Sequence, residues 1–330
     1  MTSNISSWDF ERRPLRIGTR TSPLALRQTD IVVKALQKAW PALTIDIVKI
    51  KSAADWKKQD GERALNEQAG GKGQFAKEIE TAHLQGKIDC GVHSAKDMPS
   101  FLPDGLHIRH YLPREDAADL FISDKYKIFA DLPQGAVIGT CSPRRKAYSL
   151  NKRPDLTIVN FRGNIDTRLQ KIKDGQVDAS FLAAAGLVRL GLDIKEFERL
   201  PPQDCLPAAG QGAICIETAF TDHAVQHLFD KINCPRTSIC VRAERTVLKI
   251  LDGSCHTPIA VYATWENNVL SLNGRVWSLD GAACFEMTSH QKITALNDTA
   301  YCENILQKLA AEAHIFKQSI PVSVLKAITQ

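Results

Sequence analysis

Apolar and polar residues recur with a clear period over most of the chain. LRIGT at 15–19 reads as a short apolar strand. Beyond it, Leu24, Ile31, Val32, Ala35, Leu36 and Ala39 fall roughly on one helical face, which predicts a helix to about Trp40. Ser22 is a good N-cap for it, and the fixed φ of Pro23 suits the first helical position. TIDIVKI at 44–50 alternates as a half-buried strand does. Strand, helix and strand in this order predict a βαβ unit and a parallel sheet.

The same plan returns later. IGTRTSPLAL begins at Ile17 and IGTCSPRRKA at Ile138, so Ser142 and Pro143 repeat the cap and proline. QGKIDCGV at 85–92 is echoed by DGQVDASF at 174–181, each after a helical pattern and opening a strand. The echoes predict two α/β domains of related topology; chance likeness of two βα turns is the plain alternative. A ligand of such a pair sits between the domains, at the C-terminal ends of strands. LPREDAAD (112–119) and LPAAGQGA (206–213) are the candidate hinges. From about Pro235 the pattern changes. Alternating segments surround turns at Asn267-Asn268 and Asp280-Gly281, and a helix is expected from Asp298 to Ala313. The expected division is a loose extension at 1–13, a first domain at 14–112 with 213–230, a second at 118–206, and a small α+β domain at 235–330. The expected fold class is thus two related α/β domains with mixed, mainly parallel sheets around a cleft, plus that third domain.

Composition narrows the function classes. The chain has 330 residues, 44% hydrophobic and 24% charged, with a formal charge of +5. This suits small acidic ligands; without a basic run or interleaved aromatics it argues against nucleic acid. The nine cysteines (90, 141, 205, 215, 234, 240, 255, 284 and 302) are odd in number and form no C-x-x-C pair. That argues against a disulfide framework and against zinc. MTSNISSWDFERRPLR has no apolar signal core, and no run is long enough to span a membrane. A reduced, cytoplasmic location is expected.

Cations mark the strand exits. Arg20 follows RIGT, and Lys96 follows IDCGVHS. Arg144 and Arg145 follow VIGT. Arg162 follows TIVNF, with Arg168 in the next helix, and Arg189 follows FLAAAGLVRL. A helix N-terminus already carries positive partial charge, so Arg144 and Arg145 look out of place there unless an anion meets them; splayed, solvated side chains are the alternative. Converging cations of this kind make a polyanion site suited to carboxylates or phosphates. No G-x-x-x-x-G-K-[ST] loop is present to favour a nucleotide. GGKGQF at 70–75 reads as a mobile loop. Asp97 is the exception among these cations, suited to a developing positive charge or to proton transfer, or else a helix-cap or ion-pair aspartate. His93 is an acid–base candidate or a packed strand residue. Cys255, in the Gly/Ser loop LDGSCHTPI, is more reachable than Cys90, Cys215 or Cys284, and is either a nucleophile or an ordinary cysteine. His223 and His227 lack an H-E-x-x-H context and read as solvent-facing.

Taken in order, RIGTRTSPLALRQ, GGKGQFAKEIE, DCGVHSAKDMPS, PREDAADLFIS, VIGTCSPRRKA, RPDLTIVNFRGNIDTRL, AAAGLVRLGL, LPAAGQGAICIE and DGSCHTPIA resemble the porphobilinogen deaminase (hydroxymethylbilane synthase) family. The resemblance covers nearly the whole chain from residue 15 to the third domain. It implies a periplasmic-binding-protein-like pair of domains and a monomeric transferase of haem biosynthesis. Four porphobilinogen molecules would be condensed head to tail with loss of ammonia, and hydroxymethylbilane released. It implies a covalent dipyrromethane cofactor, held as a thioether on Cys255, and Asp97 as the catalytic acid that stabilises positive pyrrole nitrogens and shuttles protons. Its carboxylate-binding set falls on Arg20, Lys96, Arg144, Arg145, Arg162, Arg168 and Arg189, with Ser22, Gln28, Ser142 and Gln211 nearby, and its mobile loop on Phe75. Arg144 and Arg145 would then await ligand carboxylates, and the protein without cofactor would be less stable than the loaded one. Ala54, Ala95, Cys141, Pro143 and the GSC triplet depart from the usual family pattern; none removes a charged or nucleophilic group. A binding protein of the same architecture, clamping an anion without chemistry, has no use for Asp97 or the loop cysteine.

Overall fold

The computed structural model describes residues 13–51, 76–254 and 256–329. Positions 1–12, Phe75 with the rest of 52–75, and Cys255 lie outside the described residues.

Two five-stranded sheets repeat one topology. The first has the order β2-β1-β3-β10-β4 and the second β7-β6-β8-β5-β9. In the first, β1 (Leu15–Arg20) pairs in parallel with β2 (Ile45–Ile50) and β3 (Cys90–Ser94). In the second, β6 (Val137–Gly139) does so with β7 (Thr157–Val159) and β8 (Ala179–Ala183). Each sheet then receives an antiparallel strand from across the molecule. β10 (Ile214–Ala219) lies between β3 and β4 (Leu106–Tyr111). β5 (Asp119–Ile122) lies between β8 and β9 (Glu198–Arg199). The chain therefore crosses between the units twice, through 112–118 and 206–213, and the second crossing lies at the floor of the cleft.

The helices start where capping chemistry permits. Ser22 Oγ accepts from the Ala25 amide at the head of α1 (Pro23–Ala39), and Ser142 Oγ from the Arg145 amide at the head of α3 (Pro143–Lys152). Asn164 does the same for α4 (Ile165–Lys173), Asp222 for α6 (His223–Asp230) and Asp298 for α8 (Thr299–Ser319). α8 runs six residues past the predicted end at Ala313. α2 (Lys77–Leu84) covers the β1/β3 face opposite α1, and α5 (Ala184–Arg189) follows β8. One core lies between the first sheet and α1 and α6, built on Ile17, Val32, Leu36, Ile216 and Phe229; the second sheet is packed on both faces.

The third unit is a meander of β11 (Ile259–Glu266), β12 (Val269–Trp277) and β13 (Cys284–Lys292). α7 (Pro235–Ile250) and α8 pack on it, and α9 (Val322–Thr329) closes the chain. Asn267 (φ 50°) and Asn268 (φ 61°) supply the paired left-handed residues of a tight hairpin turn. Gly281, at the other turn, lies against α3: a Cβ there would stand 2.5 Å from the Ala147 carbonyl.

Arg114 fastens both crossings to the third unit. Its guanidinium donates to Glu244 Oε1 (2.5 Å) and Oε2 (3.2 Å), its Nε to the Gln211 carbonyl (2.9 Å), and the Tyr262 ring lies 4.8 Å away. Glu244, fully buried on α7, also accepts from the amides of Gly210 (2.6 Å) and Ala263 (2.8 Å). Removing one partner of such a pair strands a buried charge. Glu244→Ala is expected to cost about 3–5 kcal/mol, measured by denaturant unfolding; a loss below about 1 kcal/mol would mean that water replaces the carboxylate.

Candidate active site

A cavity of about 620 Å³ opens between the two sheets, at the C-terminal ends of their parallel strands. Arg20 is the last residue of β1, and Lys96 and Asp97 occupy a single helical turn directly after β3. The N-termini of α1, α3 and α4 all reach the wall, so three positive helix ends face one volume. Its floor is the 208–213 crossing. There Gly210 (φ +75°) presses on the Lys96–Asp97 turn: a Cβ would lie 2.9 Å from the Ala95 carbonyl carbon and 3.1 Å from the Lys96 nitrogen. The wall ends on Ser254, Thr257 and Ile259 of the third unit.

Every described member of the predicted set lines this cavity: Arg20, Ser22, Gln28, Lys96, Asp97, Ser142, Arg144, Arg145, Arg162, Arg168, Arg189 and Gln211. The expectation for Arg144 and Arg145 needs correction. They are not bare in the absence of a ligand, because the Asp119 carboxylate already lies between them and offsets part of their charge. Arg144 Nη2 donates to Asp119 Oδ2 (2.7 Å) and Arg145 Nη2 to Oδ1 (2.8 Å). Gln211, expected beside the ligand carboxylates, instead gives its carboxamide N–H to Asp119 Oδ1 (2.8 Å) and the Ala117 carbonyl (2.7 Å). All four residues are buried. Burial alone would raise the Asp119 pKa, but the Arg144 and Arg145 guanidiniums outweigh it and hold the carboxyl well below the usual range. Asp119 was missed because its partners lie 25 and 26 residues away. The available signal was an acid opening the apolar strand DLFI beside two arginines without an obvious counterion.

Other members are held by neutral groups. Arg189 Nη2 donates to the Gly212 carbonyl (2.6 Å), and burial pulls its pKa down to about 10. Arg168 Nε donates to the Gly163 carbonyl (2.8 Å), and Gln28 Nε2 to Ser94 Oγ (2.8 Å). Such contacts orient these side chains at the wall. Lys96 is only half-buried by exposure, yet loss of hydration, reinforced by Arg145, brings its ammonium down to about 8 despite Asp97. On either side of position 255, Thr257 Oγ1 accepts from the Ser254 amide (2.9 Å) and donates to the Ser254 carbonyl (2.8 Å). Among the other cysteines, Cys90 and Cys215 are buried as expected. Cys284 is exposed, because it starts the edge strand β13 on its outward phase. His223 and His227 face solvent on α6.

Comparison with known proteins was made against this geometry. Residues 15–227 match the dipyromethane cofactor binding domain of porphobilinogen deaminase, and residues 238–314 match its C-terminal domain. The porphobilinogen deaminase of Geobacter sulfurreducens is 47% identical over 267 residues, covering 81% of this chain and 82% of that protein. That of Geobacter metallireducens is 45% identical over 282 residues, covering 86% and 87%. Among solved structures, the BenM effector binding domain with its effector benzoate aligns at TM-score 0.40 and 14% identity, over 67% of this chain and 90% of that one. The chain belongs to the porphobilinogen deaminase family.

Two outcomes follow from the charges in the cleft. Asp119→Ala leaves two buried guanidiniums without a counterion and is expected to cost about 3–5 kcal/mol in urea unfolding. Because the folded-state pKa of Asp119 is depressed, its stabilisation is present above about pH 4 and is lost as pH falls below that value. The variant should therefore lose less stability on acidification than the parent. An ammonium at Lys96 can pair with a carboxylate only while it is protonated. The KM for a carboxylate-bearing substrate should rise as pH climbs through about 8, and Lys96→Arg, charged throughout, should flatten that rise; an unchanged profile would remove Lys96 from the carboxylate set.

Proposed function

We propose that this protein is a hydroxymethylbilane synthase, a transferase that condenses four porphobilinogen molecules stepwise on a dipyrromethane primer attached to Cys255, releasing ammonia and finally the linear tetrapyrrole. The observation that carries the reading is the Asp97 carboxylate in a cavity lined by seven cations, with Asp166 the other acid in its wall, and with a rim that continues into the residues flanking position 255. The residues fit the cofactor. A dipyrromethane is rich in carboxylates, and the cavity offers Arg20, Lys96, Arg162 and Arg168 as charged donors with three helix N-termini behind them. When bound, the dipyrromethane supplies a nucleophilic pyrrole carbon as the starting point for chain growth.

The chain's own residues do the rest. Arg20, Lys96, Arg162 and Arg168 pair with the acetate and propionate groups of substrate and product, which fixes the pyrrole rings relative to Asp97. Arg144 and Arg145 stand behind them; their charge is shared with Asp119, so they orient carboxylates without two bare cations being stored at one helix end. Ser22 and Ser142 keep their hydroxyl acceptors on helix amides. Loss of ammonia from porphobilinogen leaves positive charge on its pyrrole, and the Asp97 carboxylate is placed to stabilise it and to take the proton that each condensation releases. Phe75 belongs to the segment assigned as the moving loop. The free thiols among the described residues support a reducing, cytoplasmic setting, and the family resemblance supports a monomer.

The first test is intact mass. The purified protein should exceed its sequence mass by two linked pyrrole units and colour with a pyrrole-reactive stain, and Cys255→Ser should do neither. If wild-type protein stays unmodified after incubation with porphobilinogen, the synthase reading fails and an anion-binding protein remains.

A further inference from the structure

The face of the first sheet under α2 carries a cluster of ionisable groups that the carboxylate site does not use. Glu217 on β10 is fully buried; His83 Nδ1 lies 3.5 Å from one of its oxygens and His93 Nε2 lies 3.8 Å from the other. Glu80 and His83 both come from α2, three residues apart, and His93 comes from β3; each is at least nine-tenths buried. Among the described residues, neither oxygen of Glu217 makes a hydrogen bond, nor do Glu80 Oε1, His83 Nδ1 and His93 Nε2. Buried polar atoms in this state are costly, so four such side chains on one face call for a reason other than packing. Gly91 gives them room. It pairs with Glu217 across the ladder, and a Cβ on it would stand 2.5 Å from His93 Nε2.

The cluster touches the active site through His93. A small cavity of about 60 Å³ is lined by both His93 and Asp97, with Arg20, Ser22, Gln28 and Ser94 around them. That is space for about two water molecules. The charges that reach His93 are Glu217 from β10, Asp97 from the turn after β3, His83 from α2 and Arg20 from β1; burial lowers its pKa most, against Glu217 and Asp97. Burial, then Glu217, raises the Glu80 carboxyl to about 7. The thiols of Cys90 and Cys215 also feel Glu217, but burial pushes them up, Cys215 to about 12, so they keep their protons.

We propose that His93, Glu217, His83 and Glu80 form a proton relay leading from Asp97 out through α2. The proposal rests on the synthase reading above. For each porphobilinogen added in its ammonium form, the C–N bond breaks and ammonia leaves with the bonding pair. One C–C bond forms, and the attacked pyrrole carbon loses a proton whose bonding pair returns to the ring. The balance is one ammonia and one proton per addition, with no oxidant or co-reactant. Asp97 takes that proton. It crosses the small cavity to His93, passes from His93 Nε2 to Glu217 and on to His83 Nδ1, and leaves by Glu80, regenerating the Asp97 carboxylate for the next addition. These four residues act through Asp97 and do not touch substrate.

The test uses the full chain carrying Glu217→Gln, Glu80→Gln or His93→Ala, each checked for the pyrrole adduct. Expected are a kcat lowered about tenfold to a hundredfold at near-parental KM, a displaced pH–rate profile, a larger solvent deuterium isotope effect, and recovery of His93→Ala by added imidazole. Infrared titration of the resting protein should show a carboxylic acid band that disappears near neutral pH and is missing in Glu80→Gln. Unchanged kcat, pH profile and isotope effect in Glu80→Gln and Glu217→Gln overturn the relay, as does a slowed His93→Ala that imidazole does not restore. Should Glu217→Gln fail to fold, Glu80→Gln at the outer end decides. A wild type without adduct or turnover defeats the synthase reading instead, and an absent infrared band then defeats the relay separately.

Discussion

Asp119 stands at the first residue of β5 with two guanidiniums and a carboxamide closed around its oxygens, and the shape of the cleft follows from that contact. Arg144 and Arg145 belong to the helix that opens the second unit, Gln211 to the returning crossing, and Asp119 to the outgoing one. One carboxylate therefore ties both crossings to the head of α3. Two cations at a helix N-terminus repel its dipole and each other, and a buried counterion turns that conflict into a fixed geometry. Each guanidinium is further anchored on a main-chain carbonyl, Arg144 Nη1 on Leu206 and Arg145 Nη1 on Phe181.

The cleft combines fixed positive charge with two acids, Asp97 and Asp166. Helix N-termini and arginines supply positive potential from both sheets, a field suited to a ligand carrying several carboxylates. Lys96 is the adjustable member, since its ammonium is loosened by lost hydration, whereas the arginines keep their protons. The Gly210 crossing fits against the Lys96–Asp97 turn so closely that no side chain is accommodated between them, which holds the acid in register with the floor.

Much of this was legible from residue order, and the illegible parts share a cause. The strand–helix–strand units, the cap-and-proline starts at Ser22 and Ser142 and the Asn267-Asn268 turn are local, so their signals lie within a few residues of their effects. Arg20, Lys96, Arg162 and Arg168 were visible because a cation at a strand exit is a positional pattern. Asp119 and Glu217 were invisible because what defines them is a partner brought near by strand order: Asp119 meets α3 only when β5 enters the second sheet, and Glu217 meets His93 only when β10 enters the first. Arg114 and Glu244, 130 residues apart, belong with them. Cys284 shows the limit of composition, since an apolar neighbourhood in sequence turned out to be the open edge of a sheet.

The strand exchange also sets an order of assembly on the ribosome. β3 and β4 are made early, but the strand that separates them, β10, begins at residue 214, after the whole second sheet has been synthesised. Until then the first sheet has a gap between β3 and its edge strand β4, with their facing backbone edges unpaired and the apolar side chains of Ile214 and Ile216 missing from its core. The second sheet has no such wait, since β5 precedes β6, β7 and β8 in the chain. Synthesis thus delivers a second unit able to close before the first, while β3 and β4 wait for their shared partner over roughly a hundred residues of elongation.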